Sequence, residues 1–168
     1  MMIVSIAESN AEMGKGVSFS FTTTAEEIDA VHKDYSFVGP IVIQGSIVNT
    51  GQAYRLTGVI ECEKSFICDR CLDHFTEKQK HEFAEDFRQG EEDDESEAVN
   101  MFDGDAIDIT DMIRDTILAA QPLNNICRPD CQGLCPKCGA NLNHGECGCD
   151  RFVPDPRLAA LQQLLKKK

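Results

Sequence analysis

The sequence predicts an α+β fold: a mainly antiparallel β-sheet domain with one or two packed helices, then a cysteine-rich C-terminal tail that ends in a short helix. Strand-like alternation around a turn signal, an amphipathic pattern after residue 110 and cysteines concentrated beyond residue 125 support this prediction. The 168 residues allow one ordinary domain of about 100 to 150 residues plus an appendage. We therefore predict a β-rich domain over residues 1–122 and a cysteine-rich segment over residues 123–168.

The first half of the chain carries the strand signals. Residues 17–21 alternate apolar and polar side chains, as a half-buried strand does. Residues 41–48 and 53–62 are β-rich runs joined by Asn-Thr-Gly-Gln, and Asn and Gly tolerate the positive φ of a tight turn, which predicts a hairpin. Residues 75–83 alternate in the same way and are typical of a solvated edge strand.

Helical signals are fewer. Thr24 and Glu27 form a capping-box pattern that predicts a short helix through residue 31. Apolar spacing over residues 112–120, with acidic residues near its start and Pro122 after it, predicts a helix near residues 110–121. Residues 155–168 combine an N-cap candidate, an early proline, spaced leucines and terminal lysines, which predicts a short amphipathic helix.

Charge is distributed unevenly along the chain. The formal net charge is −13, yet from residue 128 onward seven basic residues face four acidic ones, a net of +3, which leaves −16 for the rest. Acidic residues crowd between residues 85 and 97, and their repulsion predicts a mobile loop near residues 85–100. A phosphate backbone can approach only near the tail. The candidate contact residues there are Lys137, Arg151, Arg157, Lys166, Lys167 and Lys168.

The cysteine count indicates metal binding. The N-terminus lacks a basic start followed by an apolar run, and no stretch approaches the roughly 18 apolar residues of a membrane span, so we expect a cytoplasmic protein without membrane contact. Nine cysteines are many for a compartment that keeps thiols reduced, and an odd number cannot all pair within one chain. Metal ligation accounts for them better than disulfides do.

Four cysteines of the tail predict a structural zinc site. Cys135-Pro-Lys-Cys138 has the two-residue gap that turns both sulfurs toward one ion, and Gly139 permits the tight turn behind them. Cys147 and Cys149 complete the set if the intervening loop folds back, because Zn–S bonds of about 2.3 Å hold the sulfurs within about 3.8 Å of one another.

A second zinc site is predicted from a pair far upstream. Cys68-Asp-Arg-Cys71 has the same gap and needs two more ligands to close a tetrahedron. Cys127 and Cys131 are the unclaimed candidates. This partition leaves Cys62, which lies on an apolar strand and is interpreted as a small buried hydrophobe.

A rival partition stays open at this point. It places Cys127, Cys131, Cys135 and Cys138 on one ion and leaves the upstream pair as a dithiol, redox-active if Arg70 lowers its pKa. We favour two sites, although cysteine connectivity does not follow from sequence alone.

No catalytic pattern is present. All-cysteine ligation leaves no coordination position for water, so such sites stabilise structure. The sequence contains no Gly-x-Ser-x-Gly elbow, no phosphate-binding P-loop and no His-Glu-x-x-His helix. His144 lies beside the tail cysteines and is interpreted as an exposed loop residue rather than a ligand. We therefore predict a non-enzyme with no small-molecule substrate.

The ordered motifs resemble the YceD family. The resemblance rests on the tail run from Cys127 through Asn143 to Cys149 with Asp-Pro-Arg at 155–157, on Cys68-x-Arg-Cys-Leu, and on Ile-Asp-Ile at 107–109. Gln121 departs from the leucine that the family often has there. The resemblance implies a bacterial protein, with plastid relatives, that is required for accumulation of large-subunit (23S) ribosomal RNA and has no established catalytic activity.

Three functional hypotheses follow. The first is a zinc-binding accessory factor whose tail contacts large-subunit ribosomal RNA or a ribosomal protein. The second is an acidic adapter that binds basic ribosomal proteins through residues 85–97 and the terminal leucines, without direct RNA contact. The third is a thiol–disulfide enzyme that uses Cys68 and Cys71, which requires an accessible thiol of low pKa.

Overall fold

A computed structural model describes residues 1–11, 13–90 and 100–150. Within these ranges the secondary structure elements are β1 (Ile3–Ser5), α1 (Ala7–Ala11), β2 (Gly16–Thr23), β3 (Tyr35–Phe37), β4 (Ile41–Asn49), β5 (Tyr54–Ile67), β6 (His74–Gln89), β7 (Asn100–Phe102), β8 (Ala106–Asp108) and α2 (Thr110–Ala119). None of the helices in the described ranges has both the length and the hydrophobicity needed to cross a bilayer.

The main sheet has the strand order β2-β4-β5-β6-β7, and β3 pairs with β5 beside this path. Its pairs are antiparallel except β6–β7, which is parallel, and β1 pairs with β8 in a separate two-stranded antiparallel sheet. The predicted α+β fold with a mainly antiparallel sheet is confirmed. The helix that the terminal leucines predict lies outside the described residues.

The predicted hairpin forms between β4 and β5. The backbone N–H of Thr50 donates to the carbonyl of Ala53 at 2.9 Å, and Gly51 takes a φ of +86° that few other residues adopt. The strands extend beyond the predicted limits, because β5 continues to Ile67 where β3 pairs with it.

Strand β6 is longer than the predicted edge strand and has a partner on each side near its end, β5 and β7. It includes residues 85–89, which the sequence placed in the acidic loop. Phe87 is buried there, and Arg55 binds both carboxylate oxygens of Asp86 at 2.8 and 2.6 Å, so apolar burial and pairing hold this acidic stretch in the sheet. The rest of the predicted loop, residues 91–99, lies outside the described residues.

The helix predicted after Thr24 is wrong, although its capping box forms. The backbone N–H of Thr24 donates to the Glu27 carboxylate at 3.1 Å, and Glu27 N–H donates to the Thr24 hydroxyl at 3.4 Å. Asp29 then takes a φ of +53°, and Ala30 N–H donates to the Ala25 carbonyl at 2.8 Å, which is the pattern that ends a helix. The two caps therefore enclose a single turn.

Helix α2 confirms the helix predicted near residues 110–121. Its start is fixed by Asp108, whose carboxylate accepts from the Thr110 backbone N–H at 2.9 Å. Ile113 and Ile117 are fully buried, and they share one core with the inward faces of the strands. The core residues with no exposed surface include Ile41, Ile43, Ile47, Leu56, Ile60, Ile107, Ile109, Ile113 and Ile117.

The chain divides into two compact units. Unit 1 comprises Met1–Ile67 and His74–Asn125, and unit 2 comprises Cys68–Asp73 and Ile126–Lys168, of which residues 126–150 are described. The sequence placed a boundary after residue 122 and kept residues 68–73 in the first domain. The structure instead assigns the connection between β5 and β6 to the cysteine-rich unit, which local composition does not reveal.

Candidate metal centres

The upstream cysteine pair lies on a tight turn between β5 and β6. Leu72 N–H donates to the Cys68 carbonyl at 2.9 Å, and Cys68 N–H donates to the Asp73 carbonyl at 2.9 Å. Leu72 adopts a left-handed φ of +62°. This closed turn directs the sulfurs of Cys68 and Cys71 to the same side, as the two-residue gap predicts.

Four cysteine sulfurs converge at this turn, and we call these residues group I: Cys68, Cys71, Cys127 and Cys131. The four sulfurs all lie within 4.8 Å of one another. The Cys68 and Cys131 sulfurs are 3.9 Å apart, and those of Cys71 and Cys127 are 3.7 Å apart. A tetrahedron with Zn–S bonds of about 2.3 Å requires about 3.8 Å between sulfurs. Group I therefore fits a tetrahedral thiolate-bound ion.

The downstream pair lies on a second turn of the same kind. Gly139 N–H donates to the Cys135 carbonyl at 2.8 Å, and Gly139 has a φ of +72°. Cys135 N–H donates to the Ala140 carbonyl at 2.8 Å and closes the turn. The predicted role of Gly139 in this turn agrees with these contacts.

Group II consists of Cys135, Cys138, Cys147 and Cys149, whose sulfurs also all lie within 4.8 Å of one another. Between the last two cysteines, Gly148 has a φ of +71°, which bends the backbone. In an extended strand the sulfurs of Cys147 and Cys149 would be too far apart to bind one ion. Group II is the more accessible of the two, because Cys138 is exposed whereas three members of group I are buried.

Backbone and side-chain contacts link the upstream turn to residues that follow Cys127. The carbonyl of Arg70 accepts from Leu134 N–H at 3.0 Å, and the Arg70 guanidinium donates to the Cys131 carbonyl at 3.2 Å. Asn141 donates from its side chain to the Asp73 carboxylate at 2.7 Å. Each of these bonds spans more than 60 residues of sequence.

Asn143 orients a sulfur of group I. Its side-chain N–H lies 3.4 Å from the Cys131 sulfur, while its side-chain oxygen accepts from Gln132 N–H and from the Arg128 guanidinium, both at 2.9 Å. A donor at this position favours the thiolate form and fixes its direction. These contacts of Asn143 reach residues 11 to 15 positions away, so the spacing of the cysteines does not reveal them.

The cysteines within each group shift one another's pKa in opposite directions. Burial opposes ionisation of Cys68, but backbone N–H groups, those of Cys127 and Cys71 first, lower its pKa to about 6. The N–H of Asp73 favours the Cys71 thiolate, yet burial and the neighbouring sulfurs raise the Cys71 pKa to about 12. Sulfurs this close cannot all carry a negative charge unless a cation lies between them.

Group II likewise contains one cysteine with a lowered pKa and one with a raised pKa. Backbone N–H groups of Cys138 and Lys137 lower the pKa of Cys135 to about 6. The sulfurs of Cys138 and Cys147 raise the pKa of Cys149 to about 12. A divalent cation at each group would allow all four sulfurs to be thiolates, and each site would then carry a net charge of about −2.

The sulfurs follow the four-plus-four partition and not the rival one, because Cys127 and Cys131 lie with the upstream pair. All nine cysteines are free thiols, and Cys62 is buried on β5 and belongs to neither group. Burial raises the pKa of the Cys62 thiol, in keeping with its prediction as a buried hydrophobe. His144 is exposed, 3.8 Å from the Asp73 carboxylate, and is not a member of either group.

The described part of unit 2 is acidic. Residues 68–73 and 126–150 contain three basic side chains and five acidic ones, a net charge of −2 before any metal is bound. Lys137 is exposed there, but the other predicted contact residues, Arg151, Arg157, Lys166, Lys167 and Lys168, lie outside the described residues. The net positive charge of the whole tail therefore comes from residues 151–168 of the sequence, and the described part of unit 2 does not share it.

The comparisons with known proteins agree with the motifs. A family model described as "Large ribosomal RNA subunit accumulation protein YceD" matches residues 56–165. A chloroplast protein of Arabidopsis thaliana, named large ribosomal RNA subunit accumulation protein YCED homolog 1, is 27% identical over 162 residues, which cover 79% of this chain and 50% of the relative. No solved structure gives a significant match.

Two bacterial relatives extend the comparison. A Mycobacterium tuberculosis protein named as uncharacterized is 29% identical over 123 residues, which cover 71% of this chain and 59% of the relative. The Bacillus subtilis protein YlbN, also named as uncharacterized, is 27% identical over 154 residues and covers 89% of this chain and 90% of itself. The chain thus spans less than two thirds of the mycobacterial and plant relatives but nearly all of YlbN.

Proposed function

Because this chain belongs to the YceD family of large ribosomal RNA subunit accumulation proteins, we propose that it supports the accumulation of large-subunit (23S) ribosomal RNA in a bacterial cytoplasm as a zinc-binding accessory factor that catalyses no reaction. The family description carries the role in ribosomal RNA accumulation. The two cysteine groups carry the proposal of zinc, and their all-cysteine ligands are the argument that these sites are structural rather than catalytic.

Zinc suits these groups better than other ions. Tetrahedral all-sulfur sites select zinc or iron–sulfur clusters. In group I the sulfur separations of 3.7 and 3.9 Å match a single ion with Zn–S bonds of about 2.3 Å, and in group II the sulfurs lie within 4.8 Å of one another. With four thiolates bound, no coordination position is open for a water nucleophile. The ions order residues 126–150, a segment too small to hold a hydrophobic core by itself.

A protein partner is favoured over direct RNA contact in the described part of unit 2. Its side chains carry a net charge of −2, and two tetrathiolate zinc centres of about −2 each add to this. RNA phosphates are repelled by such a surface, whereas basic ribosomal proteins are attracted to it. The charge of the described residues therefore supports a protein partner, whereas residues 91–97 and the terminal leucines, which the adapter hypothesis names, lie outside the described residues.

An acidic groove in unit 1 adds to this second candidate function. It has a volume of about 600 Å³ and is lined by residues of β6, β7, β8 and α2. Its lining includes four carboxylates and two methionines, namely Glu85, Asp108, Asp111, Asp115, Met101 and Met112. Methionine side chains adapt to different apolar partners, and carboxylates bind Lys and Arg side chains.

The test measures binding of the zinc-loaded full chain to two purified probes, precursor 23S ribosomal RNA and RNA-free protein extracted from large ribosomal subunits. The protein-adapter mode predicts salt-sensitive retention of the ribosomal proteins and little retention of the RNA. A variant with glutamine at Lys166, Lys167 and Lys168 separates the two modes. The protein-adapter mode predicts unchanged binding of ribosomal protein, and the direct RNA-contact mode predicts loss of RNA binding. Absence of binding to either probe at low salt argues against both modes.

The role in the cell is tested by deletion of the gene and return of variants. A strain without the protein is expected to show a lower ratio of 23S to 16S ribosomal RNA, which the natural chain restores. A variant with serine at Cys71 and Cys138 disrupts both groups and is expected not to restore it. A variant with alanine at Cys62, outside both groups, serves as the matched control and should restore it.

A further inference from the structure

Leu72 has an unfavourable backbone conformation on the surface of the molecule. Among the non-glycine residues in the described ranges, only Asp29 and Leu72 have a positive φ. Aspartate tolerates this conformation because its short polar side chain can bond locally, whereas a leucine in it is a strained outlier. Leu72 is also 59% exposed, so burial of its side chain does not offset the strain.

The second cysteine turn shows that this strain is not needed to hold a metal. Gly139 occupies the position equivalent to Leu72, one residue after the second cysteine of its pair. It has a φ of +72° against +62°, and the hydrogen bond that closes its turn is 2.8 Å long against 2.9 Å. The same turn is therefore made without strain by glycine, and the leucine in group I must be explained by its side chain.

Strained residues that the fold does not require are found where a side chain serves a function. Leu72 is exposed on a turn that also carries the exposed residues Asp69, Arg70 and Asp73, and the Asp73 carboxylate accepts from the Asn141 side chain. An exposed apolar side chain on a unit whose described residues carry a net charge of −2 matches an apolar pocket with basic residues at its rim. The adjacent tetrathiolate group adds negative charge, which opposes RNA phosphates at this point.

We propose that Leu72 is the anchor by which unit 2 docks into an apolar pocket on a basic ribosomal protein. The inference rests on the proposed function, and it deepens that function by naming the contact. The exposed leucine contributes the apolar contact, and the net negative charge of the described part of unit 2 contributes electrostatic attraction. The strain at residue 72 is the cost of presenting an apolar side chain at the tip of the turn.

The proposal predicts an unusual combination of effects for Leu72→Gly. Glycine relieves the backbone strain, so the midpoint of thermal unfolding should stay the same or rise, and the zinc content should not change. Binding to RNA-free large-subunit ribosomal protein should weaken at least about tenfold, as loss of an anchor residue does. Leu72→Met keeps an apolar side chain, and its binding should stay within about threefold of the natural chain.

A matched control and a second probe separate the outcomes. Leu123 is fully exposed in unit 1, and Leu123→Gly removes the same side chain without affecting binding. Equal binding by Leu72→Gly and the natural chain overturns the inference and leaves the proposed function standing. A lower unfolding midpoint for Leu72→Gly also overturns it, because the leucine then serves packing. Failure of the natural chain to bind ribosomal protein overturns the protein-adapter mode and the inference with it.

Two other molecules could cover the surface around Leu72, namely a second copy of this chain and ribosomal RNA. A natural chain that sedimentation shows to be a dimer, and a Leu72→Gly variant that is a monomer, would assign the surface to a second copy and contradict the proposal. Weaker binding of 23S ribosomal RNA by Leu72→Gly, with unchanged protein binding, would likewise contradict it.

Discussion

Gly133 lies against the backbone carbonyl of Arg70 so closely that a Cβ atom at residue 133 would come within 3.0 Å of that oxygen. The same carbonyl accepts a 3.0 Å hydrogen bond from Leu134 N–H. The close approach therefore allows the upstream turn to bond the segment between Cys131 and Cys135, which supply one ligand candidate to each group. Gly133 also has a φ of +71°, so glycine is required at this position for two independent reasons.

Gly133→Ala is expected to weaken metal binding at group I. The added methyl group must displace the Arg70 carbonyl, and alanine must also adopt the left-handed conformation, at a cost of about 1–2 kcal/mol before the steric effect. Titration with a competing chelator should show faster and easier loss of zinc from the variant. Gly39→Ala is the control, because Gly39 has a φ of +85° but no atom lies within 4 Å of its Cβ position. Equal zinc retention by the two variants would contradict the structural role of the contact.

The cysteine turns were predictable because their determinants are local. A two-residue gap between cysteines fixes the direction of both sulfurs, and Gly139 supplies the positive φ after the second one. The assignment of Cys127 and Cys131 to the upstream pair was a choice between two partitions. It depends on hydrogen bonds of Arg70 and Asn141 across more than 60 residues, which sequence spacing does not encode.

The errors in the predicted fold have related causes. The capping box at Thr24 forms, but the positive φ of Asp29 ends the helical conformation after one turn. Local propensity does not distinguish such a capped turn from a longer helix. Residues 85–89 begin the acidic run and were therefore predicted as loop, because like charges repel. Arg55, far away in sequence, pairs with Asp86 and holds them in β6.

Single cysteine substitutions should reveal two independent metal sites. We expect about two zinc ions per natural chain, and about one in Cys71→Ser and in Cys147→Ser, because each change opens one tetrahedral group. Cys62→Ser, outside both groups, should retain two. Metal analysis of purified, unheated protein measures these values. If Cys71→Ser kept as much zinc as the natural chain, the rival partition with a free upstream dithiol would be favoured.

Removal of metal should make the cysteines of unit 2 react with an alkylating reagent before Cys62, the cysteine of unit 1, does. Cys138 is exposed, so its protection from an alkylating reagent in the zinc-loaded chain must come from metal binding rather than burial. A strong chelator should make Cys138 reactive within minutes. Cys62, 6% exposed and with its pKa raised by burial, should stay slow to react. Rapid alkylation of Cys138 before chelation would show that it is not a ligand.

Lys64 is an unusual member of the core of unit 1. Its side chain is fully buried on β5, and within the described residues its ammonium nitrogen has no hydrogen-bond partner. The nitrogen lies 4.6 Å from the centre of the Tyr35 ring and 5.1 Å from that of Phe37, and these cation–π contacts are its main compensation. Burial lowers the pKa of Lys64, while interaction with Cys62 opposes the shift.

The lowered pKa sets the direction of the pH dependence. Between the folded-state pKa and the unfolded value of about 10.4, the unfolded chain binds a proton that the folded chain does not. The stability contributed by this group therefore rises with pH through that window, and below it the penalty for a buried ammonium is fully present. His81, whose pKa is also lowered by burial and then by Lys64, adds to the dependence at lower pH.

Lys64→Met is accordingly expected to stabilise the chain at neutral pH. Methionine has a similar length and removes a buried group without a hydrogen bond, which should raise the free energy of unfolding by about 1–3 kcal/mol. The advantage should shrink as pH rises toward about 10.4, where the unfolded lysine also becomes neutral. Urea denaturation of the zinc-loaded chains at pH 7 and pH 9.5 measures the difference. Lys78→Met, on an exposed residue of β6, should change stability by less than about 0.5 kcal/mol. A less stable Lys64→Met variant would mean that the ammonium has a favourable partner, and would contradict the penalty argued from its burial.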